Sequence, residues 1–260
     1  PSQMREGKVR EIYETFYSLA DEQFQPKKNA QKQAEMIEFL KSNGKSSSSE
    51  LGNRFGYATI KTLFEKDVIT KQKEKIERKP FVLPKQDKRV ELNLTQKNAI
   101  ETINGEKIFL LHGVTGSGKT EVYMHLIERE LSKGKNALLL VPEISLTPQI
   151  MSNFKARFGD FVAMLHSGLS AGERFDEWKR IFSGQARIVV GARSAVFAPI
   201  ENLGVIIIDE EHEQSYISES NPRYFTHDIA AFRAAYNHCP LVLGSATPSV
   251  DSYQKVVEGK

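Results

Sequence analysis

Two clusters in this 260-residue chain place residue types in the order that phosphoryl chemistry requires. In HGVTGSGKTEVY, residues Gly113, Gly118, Lys119 and Thr120 satisfy G-x-x-x-x-G-K-S/T. Glycines there let the backbone N–H groups of Val114, Thr115, Gly116, Ser117 and Gly118 wrap the β- and γ-phosphates of a nucleotide. The positive end of the following helix assists. Lys119 would neutralise the phosphates and the Thr120 hydroxyl would ligate Mg2+. The second cluster, VIIIDEEHEQSY, runs from Val205 to Tyr216. Carboxylates at the end of a buried strand are costly unless something there needs negative charge. Beside a phosphate loop, Asp209 would hold Mg2+, and Glu210 would orient and deprotonate an attacking water. Glu211 and Glu213 are expected at the surface.

Stepping outward, these clusters sit where short apolar runs end. The runs are KIFLLHG from Lys107, NALLLVP from Asn136, FVAMLH from Phe161, RIVVGA from Arg187, GVIIIDE from Gly204 and PLVLGSA from Pro240. Helical patterns separate them at Thr120–Ser132, Pro148–Phe158, Gly172–Phe182 and Thr226–Asn237. Continuous rather than alternating apolar strands indicate a sheet covered on both faces. The expected fold is α/β, a doubly wound parallel sheet of the RecA-like phosphate-loop type over residues 92–260, with its chemistry at the carboxyl ends of the strands.

Residues 1–80 have another rhythm, short, helical and basic. AEMIEFLKSNG, SSSSELGNRFG and YATIKTLFEKDVI read as three helices, and VITKQKEKIERKPFVL as a β-hairpin. That is the layout of a small winged-helix domain, with Tyr57–Asp67 as recognition helix and Lys61 and Lys66 outward. Such modules contact either nucleic acid or protein. Residues 81–91, within a proline- and charge-rich stretch, read as a linker. Net charge is only +3, yet Lys and Arg crowd the first ninety residues. An anionic partner or a well-solvated surface would each account for that. The single cysteine, Cys239, excludes an intrachain disulfide and a Cys-cluster zinc site, and suggests a reducing compartment. No apolar run approaches the ~20 residues that span a bilayer. A chain opening on Pro1 is expected to be a piece of something longer.

GSATPS, Gly244–Ser249, ends the last apolar run with small hydroxylated residues. Together with DEEH it resembles motifs II and III of superfamily 2 helicases and translocases. Gln96, in NLTQKNAI, is a candidate adenine-reading glutamine. LLHGVTGSGKTEVY, LLLVPEISLTPQI, LHSGLSAGERFDEWKRI, IVVGARSAVFAP and IIIDEEHEQSY together resemble the PriA family of bacterial replication-restart helicases from Leu92 to Lys260. The resemblance implies an ATP- and Mg2+-dependent 3′→5′ DNA helicase of the bacterial cytoplasm and nucleoid. Its expected partners are branched and single-stranded DNA, single-stranded-DNA-binding protein, and primosome and helicase-loading proteins. It also implies that Ser145 and Thr147, and Arg193 and Ser194, grip DNA phosphates. Tyr216, Arg223 and Tyr224 would belong to an aromatic-rich loop that stacks on bases, and His212 would bridge to Ser245, Ala246 and Thr247. The family's zinc-binding cysteines and second motor lobe, with its arginine fingers, are not in this sequence, so weak nucleotide binding and poor hydrolysis are expected of the piece alone. A translocase that does not separate strands, or a docking module for DNA or protein, are the alternatives.

Overall fold

The computed structural model describes residues 12–27, 29–76, 90–219 and 221–258. It falls into two compact units, 1–78 and 79–260. Most of the expected linker, 81–91, lies outside the described residues.

The first unit runs β1 (Ile12–Leu19), α1 (Gln31–Asn43), β2 (Lys45–Ser47), α2 (Ser48–Phe55), α3 (Tyr57–Glu65) and β3 (Ile69–Ile76). Its antiparallel sheet has the order β2-β1-β3. The three expected helices are present, packed around Met36, Leu40, Leu51, Ile60 and Leu63. Two expectations are corrected. β3 pairs along its whole length with β1, from Ile12↔Ile76 to Leu19↔Ile69. The strand expected in the wing is thus joined to one from ahead of α1, where helix was expected; the remainder of the expected hairpin, beyond Ile76, lies outside the described residues. IYETFYSL, taken above as part of a helical region, is rich in the β-branched and aromatic residues that suit a pleated surface. Second, α3 stops at Glu65 and Lys66 is its C-cap. Lys66 is exposed, as is Lys61, and its ammonium lies over the Phe24 ring, 5.6 Å from the centroid.

The second unit runs α4 (Leu94–Thr102), β4 (Ile108–His112), α5 (Lys119–Ser132), β5 (Asn136–Leu140), α6 (Pro148–Phe158), β6 (Val162–Leu165), α7 (Ala171–Phe182), β7 (Ile188–Gly191) and β8 (Leu203–Ile208). It continues through β9 (Ile217–Ser218), β10 (Tyr224–Phe225), α8 (Thr226–Tyr236), β11 (Leu241–Ser245) and α9 (Val250–Val257). Six strands form one parallel sheet in the order β4-β11-β8-β5-β7-β6. Each of the six apolar runs supplies one strand.

β8 shows why its sequence is apolar throughout. Val205 and Ile207 join the core beneath α5 and α6, while Ile206 and Ile208 join the one that takes Ala230 and Ala234 of α8. Alternate side chains thus leave opposite faces into two different cores. Each fully buried aliphatic side chain is worth about 1.5–3 kcal/mol, so this strand is fixed in register and its end is a firm mount for Asp209. Among the described residues no helix is long and apolar enough to cross a membrane.

Candidate functional site

The phosphate loop bridges β4 and α5. Gly113 donates its N–H to the Ser245 carbonyl at 3.1 Å, which ties the loop to the end of β11. Gly116 and Gly118 have φ of 79° and 84°, a left-handed conformation that disfavours any residue with a Cβ. Gly118 is the N-cap of α5, so the chain enters that helix at Lys119. Val114, Thr115, Gly116 and Ser117 are exposed, and the loop lies open at a helix N-terminus, where backbone donors and the helix dipole favour an anion. The Ser117 N–H is the one turned inward, to the Val114 carbonyl. Thr120 is half-buried in the first turn.

Gln96 lies against this loop. It closes the capping box of α4 with Asn93, and its amide nitrogen donates to the Ser117 carbonyl at 3.1 Å. Both ends of the side chain are therefore engaged by protein, at the edge of a cavity of about 270 Å³ shared with His112, Gly113 and Lys119. His112 had no expected role.

Across from the loop, β8 delivers the acidic motif. The Asp209 carboxylate accepts a 2.8 Å hydrogen bond from the Tyr123 hydroxyl, and Tyr216 donates to the Asp209 carbonyl at 2.7 Å. Burial raises the Asp209 pKa, with the Tyr123 bond pulling against it. Burial and the adjacent carboxylates push both tyrosines above their ordinary range, so both hydroxyls stay protonated and donate. Tyr123 was missed in the sequence. Its signal is the K-T-E-V-Y spacing, which sets it one turn beyond Lys119 on the same helical face.

Glu210 adopts φ 45°, uncommon for a residue with a side chain. Its carboxylate stands 3.6 Å from the Lys119 ammonium, which also donates to the Gly113 carbonyl at 2.8 Å. Glu211 corrects an expectation, because it is buried, only 4% exposed. Its carboxylate accepts from Ser249 N–H (2.7 Å), Ser249 Oγ (3.1 Å) and Ser252 Oγ (2.9 Å). Negative charge at the first turn of α9 is favourable, which is why this acid turns inward. Glu213 is half-exposed.

His212 stands between the hydroxyls of the last strand. Nδ1 is 2.8 Å from Ser245 Oγ and Nε2 is 3.3 Å from Thr247 Oγ1. Ser245 Oγ also accepts the Thr247 N–H, and half-buried Ala246 sits between them. The Glu211 N–H donates to the Gly244 carbonyl, a second tie between the acidic motif and β11.

The residues expected to touch DNA are distributed less uniformly. Ser145 is half-buried in a turn after β5, and exposed Thr147 caps α6 by accepting from the Ile150 N–H. Arg193 donates to the carbonyls of Ser215 and Ile217 and lies 5.8 Å from the Tyr224 ring. In this conformation it staples the β9 loop instead of offering a free guanidinium. Ser194 beside it is exposed, as is Arg223. Tyr216 is fully buried, so its ring has no face to give a base; its place is beneath Asp209. Tyr224 packs edge-on against Phe197 at 4.9 Å. Phe197 and Phe225 both present part of their rings outward, and Phe225 stacks on His227 with centroids 4.4 Å apart. Burial holds the His227 pKa below its ordinary value, against the pull of Glu211. Lys61, in the other unit, is exposed and 3.8 Å from Glu65. Among the described residues no cluster of His, Cys, Asp or Glu is arranged to hold a metal by itself.

The DEAD/DEAH box helicase family matches residues 93–256. The chain is 53% identical over 210 residues to replication restart protein PriA of Bacillus subtilis (strain 168), covering 78% of this chain and 26% of that protein. The PriA of Synechocystis is 45% identical over 206 residues, covering 76% and 24%. That of Haemophilus influenzae is 45% identical over 177 residues, covering 67% and 24%. The chain thus spans about a quarter of the length of these relatives. Because the family match runs from the residue that caps α4 into the last turn of α9, it takes in both strand-end motifs and the loop they face, and the chain belongs to the DEAD/DEAH box helicase family.

Proposed function

We propose that this chain is the nucleotide-binding lobe, with a winged-helix unit ahead of it, of an ATP-dependent 3′→5′ DNA helicase that acts in replication restart at branched forks. What carries the reading is the meeting of Lys119 and Glu210 at 3.6 Å, with Asp209 one residue away and His212 spanning to Ser245 and Thr247. The residues fit MgATP: a left-handed glycine loop at a helix N-terminus, a half-buried hydroxyl at Thr120 and a buried strand-end carboxylate at Asp209. The bound group supplies a transferable γ-phosphoryl and a divalent cation.

Lys119 would hold the phosphates, exchanging its contact with Glu210 for them. Glu210, released from Lys119, accepts a proton from water at its carboxylate. Asp209 and Thr120 would hold the cation, and the Tyr123 hydroxyl fixes the Asp209 carboxylate. His212 ties the acidic motif to the end of β11, so a shift in one displaces the other. Ser145, Thr147, Ser194 and Arg223 would offer hydroxyl and guanidinium donors to a strand's phosphates, and Phe225 a stacking surface to its bases. Arg193 joins them if the β9 loop lets go of it. Primosome and helicase-loading proteins, single-stranded-DNA-binding protein, a bacterial cytoplasmic setting and zinc elsewhere in a longer protein follow from the resemblance to PriA.

In the complete protein, K119A and E210Q should each lower DNA-stimulated ATP turnover at least ~100-fold. Fork-DNA affinity, read by fluorescence anisotropy, should stay within about threefold of the parent. Turnover at the parental rate in either variant overturns the assignment.

A further inference from the structure

α7 faces the wrong way for a helix on a sheet. Such helices send apolar side chains inward and charges outward, yet Asp176, Glu177 and Arg180 are buried, while Phe175, Trp178 and Phe182 are 39%, 39% and 79% exposed. Of the apolar residues in α7, Ile181 alone is buried with them. The inward charges close the edge of the sheet. Glu177 accepts the N–H of Met164, in the outermost strand β6, at 2.7 Å and pairs with Arg180 at 2.5 Å; Arg180 also donates to the Asp160 carbonyl. The three rings, at i, i+3 and i+7, form one outward stripe along the helix. Basic groups alternate with them. Arg174 is exposed, the Lys179 ammonium lies 5.6 Å from the Phe175 centroid, and the acid of the first turn, Glu173, is taken up by the capping box with Ser170. The stripe carries no Leu, Ile, Val or Met. Its start adjoins the turns that would offer donors to a strand's phosphates. The Glu143 carboxylate, in the same turn as Ser145, accepts the Ser167 N–H at 2.8 Å, and Arg174 donates to the neighbouring His166 carbonyl at 3.4 Å.

We propose that the outward face of α7 binds single-stranded nucleic acid, with bases stacked on Phe175, Trp178 and Phe182 and phosphates held by Arg174 and Lys179. The strand reaches it from the Ser145–Thr147 turn, across Ser167, and continues along the β6 side of the lobe. Stacking accepts any base, because each has a π-face, and a duplex hides those faces, so the site selects single strands without regard to sequence. A partner protein's apolar segment is the competing occupant. Rings without aliphatic side chains, interleaved with cations beside the expected path of the strand, favour nucleic acid. This site rests on the DNA-helicase reading above and lengthens the strand's path beyond it.

The chain's only tryptophan, Trp178, reports from inside the site. Titrating the chain with oligothymidylate at low salt should quench its emission by at least ~20%, while a duplex of the same length leaves it unchanged. F182A removes the most exposed ring and F175A/F182A removes two, with Trp178 kept as reporter. They should weaken oligothymidylate binding at least ~5-fold and ~25-fold, with the melting temperature unchanged. F182A alone decides the matter if the double variant does not fold. R174Q/K179Q should lower the slope of log K against log salt by about one. Oligothymidylate bound by the complete protein, but with no quenching in this chain or with parental affinity in F182A and F175A/F182A, overturns the site alone and leaves the face to a protein segment. An unchanged salt slope in R174Q/K179Q overturns it too. A complete protein that oligothymidylate does not bind overturns the helicase reading itself.

Discussion

Replacing Gly244 by alanine tests how tightly the acidic motif is built into the sheet. A Cβ at that position would lie 1.7 Å from the Tyr123 hydroxyl and 2.8 Å from its Cζ, with Asp209 Oδ1 at 3.4 Å. Ordinary contact needs about 3.5 Å, so the Tyr123 ring must retreat by well over an ångström. It has little room, because it is 1% exposed and packed in the core under α5. Retreat also breaks its bond to Asp209. Overpacking a core costs about 1–3 kcal/mol, and a hydrogen bond to a charged group contributes about 1.5–3 kcal/mol. G244A should therefore destabilise the second unit by about 2.5–6 kcal/mol.

Y123F separates the two contributions. Alone it removes only the bond, costing about 1.5–3 kcal/mol. In G244A/Y123F the contact at 1.7 Å no longer exists and only the ring carbon remains close. Because both singles lose the same bond and the double loses it once, the double variant should be more stable than the sum of the singles by about 1.5–3 kcal/mol, within the range for residues in contact. Urea unfolding followed by fluorescence reads this cleanly, since the chain's one tryptophan, Trp178, lies in α7 of the same unit. An unchanged midpoint for G244A, or strictly additive singles, would refute the argument that Tyr123 and Gly244 share one space.

Two other outcomes follow from particular groups. Burial dominates the lowered His227 pKa, with Glu211 and Asp228 raising it and Lys255 lowering it. Below about pH 6.5 the unfolded chain takes up a proton that the folded His227 refuses, so stability present above that pH is lost as pH falls toward the lowered folded value. H227F should flatten the fall in urea midpoint between about pH 6.5 and 5; coincident slopes for parent and variant would show that His227 contributes nothing. In the first unit, K61E/K66E should weaken binding to a fork duplex and lower the slope of log K against log salt by roughly one to two. Unchanged affinity at low salt would mark this unit as a protein-facing module.

The sheet was legible because a strand buried on both faces needs an unbroken apolar run, and each of the six runs has one. The phosphate loop was legible because its glycines answer a backbone requirement that φ values of 79° and 84° confirm. β1 was not: IYETFYSL has no strong alternation, and the partner that makes it a strand, β3, lies after three helices. Tyr123 and Gly244 were hidden for a related reason. Their contact exists only because α5 packs over the junction of β8 and β11. Tyr216 was misjudged because an aromatic beside an acidic motif reads equally as a stacking surface or as core. Its depth beneath Asp209 is a tertiary property. Glu211 went the same way, since the α9 N-terminus that draws it inward is formed by serines far along the chain.

Asp209, Glu210 and Glu211 are consecutive, and three like charges on one strand end would hold one another protonated if they shared a site. The fold prevents this through the backbone of the middle residue. Extended conformation at Glu210 would alternate the three side chains about one line; φ 45° turns the chain so that each leaves in its own direction. Asp209 meets the Tyr123 hydroxyl, Glu210 the Lys119 ammonium, and Glu211 the serines at the start of α9. A left-handed residue with a side chain costs about 1–3 kcal/mol and persists only where its surroundings over-determine it. Here they do: the Asp209 N–H is held by Leu140 and the Glu211 N–H by Gly244, two neighbouring strands gripping either side of the turn. The acidic motif is thus three separately addressed carboxylates, and the strain at Glu210 is what keeps its carboxylate apart from that of Glu211 beside it.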